Sequence, residues 1–447
     1  MTSILKELGP PGSFLYLICM PKIIETYNQL SSLKQGETVY IDYLTKNSRK
    51  HPAIDNIISI YLYNFEDSYL INVSHPEALQ MEFTQTIQTL LSKYTNFLVR
   101  DKIRATHLYP SLHYIDLQTS HYFKTNQPLP KVDPISAEYF FYNKYPNVAT
   151  NKIVPLTIHL KRFDEERKKL DLDNTKHSNN EMCEALHYLS SQPIKVNGLN
   201  EHYDYNPTYN QKEDQLYSLY KFTTATSRPV CTFNGVSLST LKKDKGERTC
   251  IVPNNDTLIE MDYDGYHPRI IANLVDYKLE DISVHEQMAK MYFGEVTQDN
   301  YKQAKQLTFK QMYGGIFEQY KNIPYFAKTQ QFIDKLWDEF NERGEVETFF
   351  FKRPIKKENH LTITPQKLFN YYIQAYETEY NLRTVLKIKE YLKDFKTKLV
   401  LYTYDAFLFD FAKDDGKQFI LELKQIINKD FPTKIQYGSN YGALKAL

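Results

Sequence analysis

The sequence predicts a mixed α+β protein of more than one domain, and three observations carry that expectation. A chain of 447 residues with 42% hydrophobic content can bury two or three separate cores. Toward its start, β-branched and aromatic runs of strand length sit beside a helically periodic run. In its C-terminal half, two apolar runs, each ending on an aspartate, flank a long helical pattern.

Taken in order, ETVYIDYL (37–44) and NIISIYLYNF (56–65) have strand composition, and SYLINV (68–73) can pair back as a hairpin. ALQMEFTQTIQTLLSKY (78–94) repeats its apolar residues at helical spacing, and LHYIDLQ (112–118) is a further strand. HLKRFDEERKKLDL (159–172) and MCEALHYLSS (182–191) are helical, the first densely charged. The tract 197–214 is turn-rich and poor in aliphatics, so a loop or boundary belongs there.

Formal net charge is only +1, so no global basic field announces a nucleic-acid partner. The cations are local: Lys242, Lys243, Lys245 and Arg248; then Lys352, Arg353, Lys356 and Lys357; then a run from Arg383 to Lys398. Such clusters are usually solvated faces, with phosphate contact the rarer use. Aromatic residues make up 14% of the chain, enough to fill cores and still leave rings for stacking on bases. Cys19, Cys183, Cys231 and Cys250 have no CxxC or Cys/His spacing, which argues against a zinc site or a disulfide framework. The apolar run Phe14 to Met20 is too short to span a bilayer, so a soluble cytoplasmic protein is expected.

The chemistry concentrates in three stretches. TLIEMDYDGYHPRI (257–270) and LVLYTYDAFLFDF (399–411) deliver Asp262 and Asp405 where an apolar strand gives out. Between them, NYKQAKQLTFKQMYGG (300–315) places Lys305, Phe309 and Tyr313 four residues apart, hence on one helical face, with Thr297 or Asp299 as the cap. Two carboxylates can hold two divalent cations, and a lysine beside an aromatic ring can hold a triphosphate and its base. Taken singly, an aspartate after a strand is more often a turn former, and an aromatic helix face is more often core. Only their conjunction points to nucleotidyl transfer.

This ordered set resembles the A, B and C motifs of the family A DNA polymerases. Asp262-Tyr263 with Arg269 is similar to DYSxxExR, while Lys305, Phe309, Tyr313 and Gly314 are similar to KxxxFxxxYG; Tyr404-Asp405-Ala406 stands where the family has His-Asp-Glu. Lesser likenesses continue to the C-terminus: Thr226 and Arg228, with Ser227 in place of a glycine, the turn at 344–354, Asn370 and Gln374 on a helix at 366–380, and the strand and turn at 432–442. The resemblance implies a degenerate 3′–5′ exonuclease-type RNase H-like α/β domain over 1–145, a short helical thumb over 146–220, and a palm with fingers over 221–447, the fingers near 270–350. The nuclease acids look lost, because Leu44 and Arg104 occupy positions where that site needs carboxylates.

By the same resemblance, Asp262 and Asp405, with the Tyr263 carbonyl, would hold two Mg²⁺ ions, Mn²⁺ being able to substitute. Lys305, Phe309, Tyr313, His267 and Arg269 would bind a dNTP, with His267 standing where the family has a glutamate that crowds a ribose 2′-hydroxyl. Arg228, Asn370, Gln374 and Gly314 would touch primer-template DNA. Asp264 and Asp410 read as solvated acids or outer supports for a metal. The expected protein is a monomer working with replisome partners and no membrane. A single-subunit RNA polymerase and a catalytically silent nucleic-acid-binding protein remain alternatives.

Overall fold

The computed structural model describes residues 22–131, 137, 153–175, 179–233, 236–280 and 282–447. The Phe14–Met20 run, Cys19 and the expected boundary near 145 lie outside them.

The N-terminal part is one six-stranded mixed sheet. Its strands are β1 (Lys22–Ile24), β2 (Thr38–Thr45), β3 (Ile57–Tyr63), β4 (Ser68–Asn72), β5 (Asn96–Val99) and β6 (Tyr114–Asp116), in the order β1-β4-β3-β2-β5-β6. β2, β3 and β4 form an antiparallel meander, whereas β5 and β6 run parallel to β2. Parallel neighbours need crossovers, supplied by α2 (Phe83–Leu91) and α3 (Lys102–Leu108); α1 (Tyr27–Ser31) and α4 (Leu117–Thr125) complete this part. Strand periodicity sorts its side chains to two faces. Val39, Ile41 and Tyr43 enter one core, while Tyr40 and Leu44 enter another with Leu156, Leu160 and Phe163 of α5 (Leu156–Arg167).

The helices expected to make a thumb therefore part company. α5 closes the N-terminal sheet, where its buried Asp164 accepts from Tyr61 and Ser68 and pairs with Arg167. α6 (Asn180–Ser191) instead puts Met182, Leu186 and Leu189 into the C-terminal core.

Short strands β7 (Ile194–Lys195), β8 (Gln211–Lys212) and β9 (Gln215–Leu216) form one ribbon, and β10 (Leu219–Lys221), β11 (Val230–Phe233) and β12 (Val236–Ser237) form another. Beyond them lies β13 (Thr257–Tyr263), followed by α7 (Tyr266–Leu274), α8 (Val284–Phe293), α9 (Gln298–Gly314) and α10 (Pro324–Arg343). The hairpin β14 (Glu345–Glu347) and β15 (Pro354–Lys356) leads into the long α11 (Pro365–Tyr391). β16 (Lys398–Thr403), β17 (Ala406–Phe411), α12 (Gly416–Ile427), β18 (Thr433–Gly438) and β19 (Lys445–Ala446) end the chain.

The C-terminal sheet is antiparallel throughout, ordered β16-β17-β13-β18-β19. β13 lies at its centre, so Asp262 has a strand on either side. α11 packs against this core along most of its length and carries buried Glu377, Glu379 and Asn381. Each polar group at such depth must be hydrogen-bonded or paired. Glu379 accepts from the Phe350 and Phe351 amides at 2.8 and 3.0 Å, which pins the turn of the β14–β15 hairpin.

Candidate active site

Asp262, one residue from the end of β13, pairs in register with Ala406 of β17. The residue before Ala406 is Asp405, whose carbonyl accepts from the Tyr263 amide at 3.0 Å. The two acids thus leave neighbouring strands, whose spacing is about 5 Å. Asp405 lies in the tight turn between β16 and β17, where Tyr404 has φ 63°. A left-handed non-glycine residue costs about 1–2 kcal/mol. The turn is held from α11 by Asn381, whose amide donates to the Tyr404 carbonyl, and by Arg228, whose guanidinium lies 3.9 Å from the Tyr404 ring centroid.

Both carboxylates open into a cleft of about 250 Å³ together with Lys305, Phe309 and Tyr313. α9 presents those three on one face, as their spacing predicts, and Thr297 caps it by accepting from Asn300 N at 3.1 Å. Phe309 and Tyr313 stack with nearly parallel rings, 6.1 Å between centroids. Both are large side chains left in solvent, which fits a ligand face better than core packing. Tyr301, one turn before Lys305 on α9, also lines the cleft. Gly314 ends α9, and Gly315 continues at φ 111°.

The electrostatics are those of an acid pair whose desolvation and acidic neighbours outweigh the nearby Lys434 and Arg228. Burial first, then Asp405 and Glu260, push the Asp262 carboxyl up to about 7. Asp405 is exposed to the cleft, yet desolvation by its crowded walls, then Glu377, raise its carboxyl. Neither carboxylate accepts a hydrogen bond from another residue among the described ones. Glu260, two residues before Asp262 and thus on the same face of β13, is raised by its own burial. No group of three His, Cys, Asp or Glu side chains poised to hold a metal occurs among the described residues. The donor set that fits a divalent cation is therefore the Asp262–Asp405 pair, with waters or main-chain oxygens completing it.

Asp264 is not a solvated acid. Lys434 and Arg269 both pair with it, the latter at 3.4 Å, and together they hold its carboxyl low against the upward push of burial. The same bonds take Arg269 out of the cleft. Its Nε donates to the Asp264 carbonyl at 2.8 Å and its Nη2 to the Ile282 carbonyl at 3.2 Å, so it braces the start of α7. Asp410 is not a metal support either. It lies at the far end of β17 and accepts from the Asn254 and Asn255 amides at 3.1 and 2.9 Å.

His267 lines the cleft on α7 and shares a 2.6 Å hydrogen bond with the Tyr313 hydroxyl. Tyr263 turns its ring into the core, its hydroxyl donating to the Ile427 carbonyl at 3.2 Å, so only its main chain could serve a metal. Arg228 lines the cleft and is paired with Glu377. Asn370 donates to the Tyr313 carbonyl at 3.2 Å and so ties α11 to the end of α9. Gln374, one turn on, is half-buried and forms no hydrogen bond among the described residues.

Four cleft residues escape sequence reasoning: Glu377, Lys434, His285 and Tyr266. Lys434 arrives because β18 sets it opposite Asp262 in register. His285 is pushed down to about 4 by burial and then by Lys305, so it stays neutral beside the lysine. Gly265, at φ 58°, had a legible role: a Cβ there would meet Val284 Cβ at 2.7 Å, so only glycine lets α8 close over the strand end.

The site is thus an antiparallel sheet carrying two converging acids, faced by a helix with a lysine and two exposed rings. Among solved structures, the POL domain of Pol1 from M. smegmatis, in complex with DNA primer-template and dNTP, superposes with a TM-score of 0.67 over 93% of this chain and 97% of that one, at 12% identity. No protein-family model matches the chain, and no curated protein does.

Proposed function

We propose that this chain is a template-dependent DNA polymerase of the family A type, extending a primer 3′ end with dNTPs and lacking proofreading. One observation carries the reading: Asp262 and Asp405 open side by side into a cleft whose opposite wall is the Lys305–Phe309–Tyr313 face of α9. In-line displacement at an α-phosphate needs that pairing of acids and cation. Two Mg²⁺ ions held by Asp262, Asp405 and the Tyr263 carbonyl would acidify the attacking hydroxyl and neutralise the departing pyrophosphate.

The chain's own groups supply the rest. Lys305 is exposed and unpaired by any described acid, so its charge is available to a triphosphate. Phe309 offers its face to the incoming base, and Tyr313 with His267 closes the space beneath the sugar. Arg228 in the cleft wall and Gln374 on α11 suit acceptors that all base pairs share, so they would monitor duplex shape. The C-terminal sheet then serves as palm and α8–α10 as fingers. In the N-terminal sheet Asp42 and Asp116 are spent on internal hydrogen bonds, which supports its reading as an exonuclease-type scaffold without nuclease chemistry. No helix among the described residues is long and apolar enough to cross a membrane.

Templated primer extension with Mg²⁺ tests the reading. Wild type is expected to add dNTPs in preference to rNTPs. Asp262→Ala and Asp405→Ala are each expected to lose more than ~100-fold in rate, the ceiling for partners one shell further out. Near-wild-type extension by either variant would end the proposal, and rNTP preference would convert it to an RNA polymerase.

A further inference from the structure

One buried carboxylate in the cleft has no place in the chemistry above. Glu377 of α11 is 1% exposed yet contributes to the cleft wall. On one side Arg228 clasps it, Nη2 to Oε1 at 3.2 Å and Nε to Oε2 at 3.0 Å. On the other, the buried His267 Nε2 lies 3.3 Å from Oε1, an ion-pair contact without hydrogen-bond alignment. His267 in turn shares its Nδ1 with the Tyr313 hydroxyl at 2.6 Å. Four elements thus converge on one line of contacts: the loop before β11, α11, α7 and α9.

The order of protons along that line follows from what each group can do. An ionised carboxylate only accepts, so the imidazole nitrogen facing it carries the hydrogen. Nδ1 shares its contact with Tyr313, whose hydroxyl is pushed up to about 12 by burial and then by Glu377 and so stays protonated. Without Glu377 the ring loses the neighbour that holds its Nε2 side. Histidine χ2 is broad and nearly two-fold, so the ring would turn and the bridge to Tyr313 would open.

The bridge occupies a telling position. It joins α7, which follows Asp262 directly, to the face of α9 that carries Phe309. A nucleotide with its phosphates at the acids and its base on Phe309 has its sugar between the two, against the His267–Tyr313 contact. We propose that Glu377 is a positioning residue for sugar discrimination: it locks His267 onto Tyr313 and so makes the wall that a ribose 2′-hydroxyl would strike. This rests on the polymerase reading. Glu377 follows Gln374 by three residues on the same helical side, which is why α11 can bring it to the cleft.

The test is single-nucleotide insertion by the full chain, comparing kcat/KM for a dNTP and its matching rNTP. Glu377→Ala and Tyr313→Phe are each expected to lower the dNTP-to-rNTP ratio by at least ~10-fold, chiefly through a lower KM for the rNTP. Glu377→Gln keeps an acceptor for Nε2–H and is expected to hold the ratio within ~3-fold of wild type. Tyr313→Phe removes one hydroxyl and keeps the ring, so it reports even if the loss of a buried carboxylate unfolds Glu377→Ala. A structural role alone would depress both substrates equally and leave the ratio unmoved; an unmoved ratio in Tyr313→Phe overturns the inference while the polymerase reading stands. A wild-type chain that extends with neither substrate removes both.

Discussion

Two sheets of this molecule each present aspartates, and only one of them makes a site. In the C-terminal sheet, Asp262 and Asp405 come from adjacent strands, accept no hydrogen bond from another described residue, and open into the cleft. In the N-terminal sheet, Asp42 on β2 and Asp116 at the end of β6 are separated by β5, which puts their strands about 10 Å apart. Asp42 accepts from the Tyr43 amide at 2.8 Å and the Tyr40 hydroxyl at 3.2 Å. Asp116 accepts from the Lys102 and Thr119 amides, both at 2.8 Å, and so caps α4. Arg104, near the start of α3, donates to Thr45 Oγ1 at 3.2 Å. The carboxylates of the N-terminal sheet are engaged by neighbouring donors, whereas those of the C-terminal sheet keep their lone pairs toward the cleft.

The contrast breaks most sharply on activity. Against the >100-fold losses expected for Asp262→Ala and Asp405→Ala, Asp42→Ala should leave extension within ~3-fold of wild type, because it belongs to the other class of acid. A labelled primer with a mismatched 3′ end should stay full length in Mg²⁺ without dNTPs. Shortening of that primer, abolished by Asp42→Ala, would restore nuclease chemistry to the N-terminal sheet and dissolve the comparison.

Stability should split the two sets in opposite directions. Asp116→Ala strands two amides, so it should cost about 2–3 kcal/mol in denaturant unfolding. A loss below the resolution of the titration would mean that water satisfies those amides and that the cap is expendable.

What could be read beforehand follows the same divide between local and distant causes. The Thr297 cap, the one-sided face of α9 and the two strand-borne acids are local patterns, and the chemistry demands them at fixed spacing. Ser227 stands where the resemblance calls for glycine, and its φ of 60° shows why. Lys434 and Glu377 reach the cleft through strand register and helix packing, which no short window encodes. Charge misled in both directions. Arg353, counted in a basic cluster, is 1% exposed and lies over the Tyr122 ring, while Lys389 and Lys396 of the last cluster are paired with Glu184 and Asp414. Arg269 matched a motif yet is held back by Asp264, an acid absent from that motif.

The smallest effect tests the electrostatics of the Asp262–Asp405 pair without turnover. Asp262 is raised from 3.8 to about 7 in the folded chain by burial and by its acidic neighbours. A raised carboxylate means that the folded state holds the proton more tightly than the unfolded one. Its contribution therefore falls as pH climbs from about 4 to about 7 and remains at its minimum above that. Partial hydration of the cleft limits the penalty to the order of 1–3 kcal/mol at pH 8. Asp262→Asn should remove it, raising the metal-free melting temperature at pH 8 by about 1–3 °C and leaving it unchanged at pH 4. Added Mg²⁺ should stabilise wild type at pH 8 more than the variant, since a cation that binds only the folded state recovers the same repulsion. If the asparagine variant melts lower than wild type at pH 8, the acids do not repel across the strand pair, and the contrast between the two sheets loses its electrostatic half.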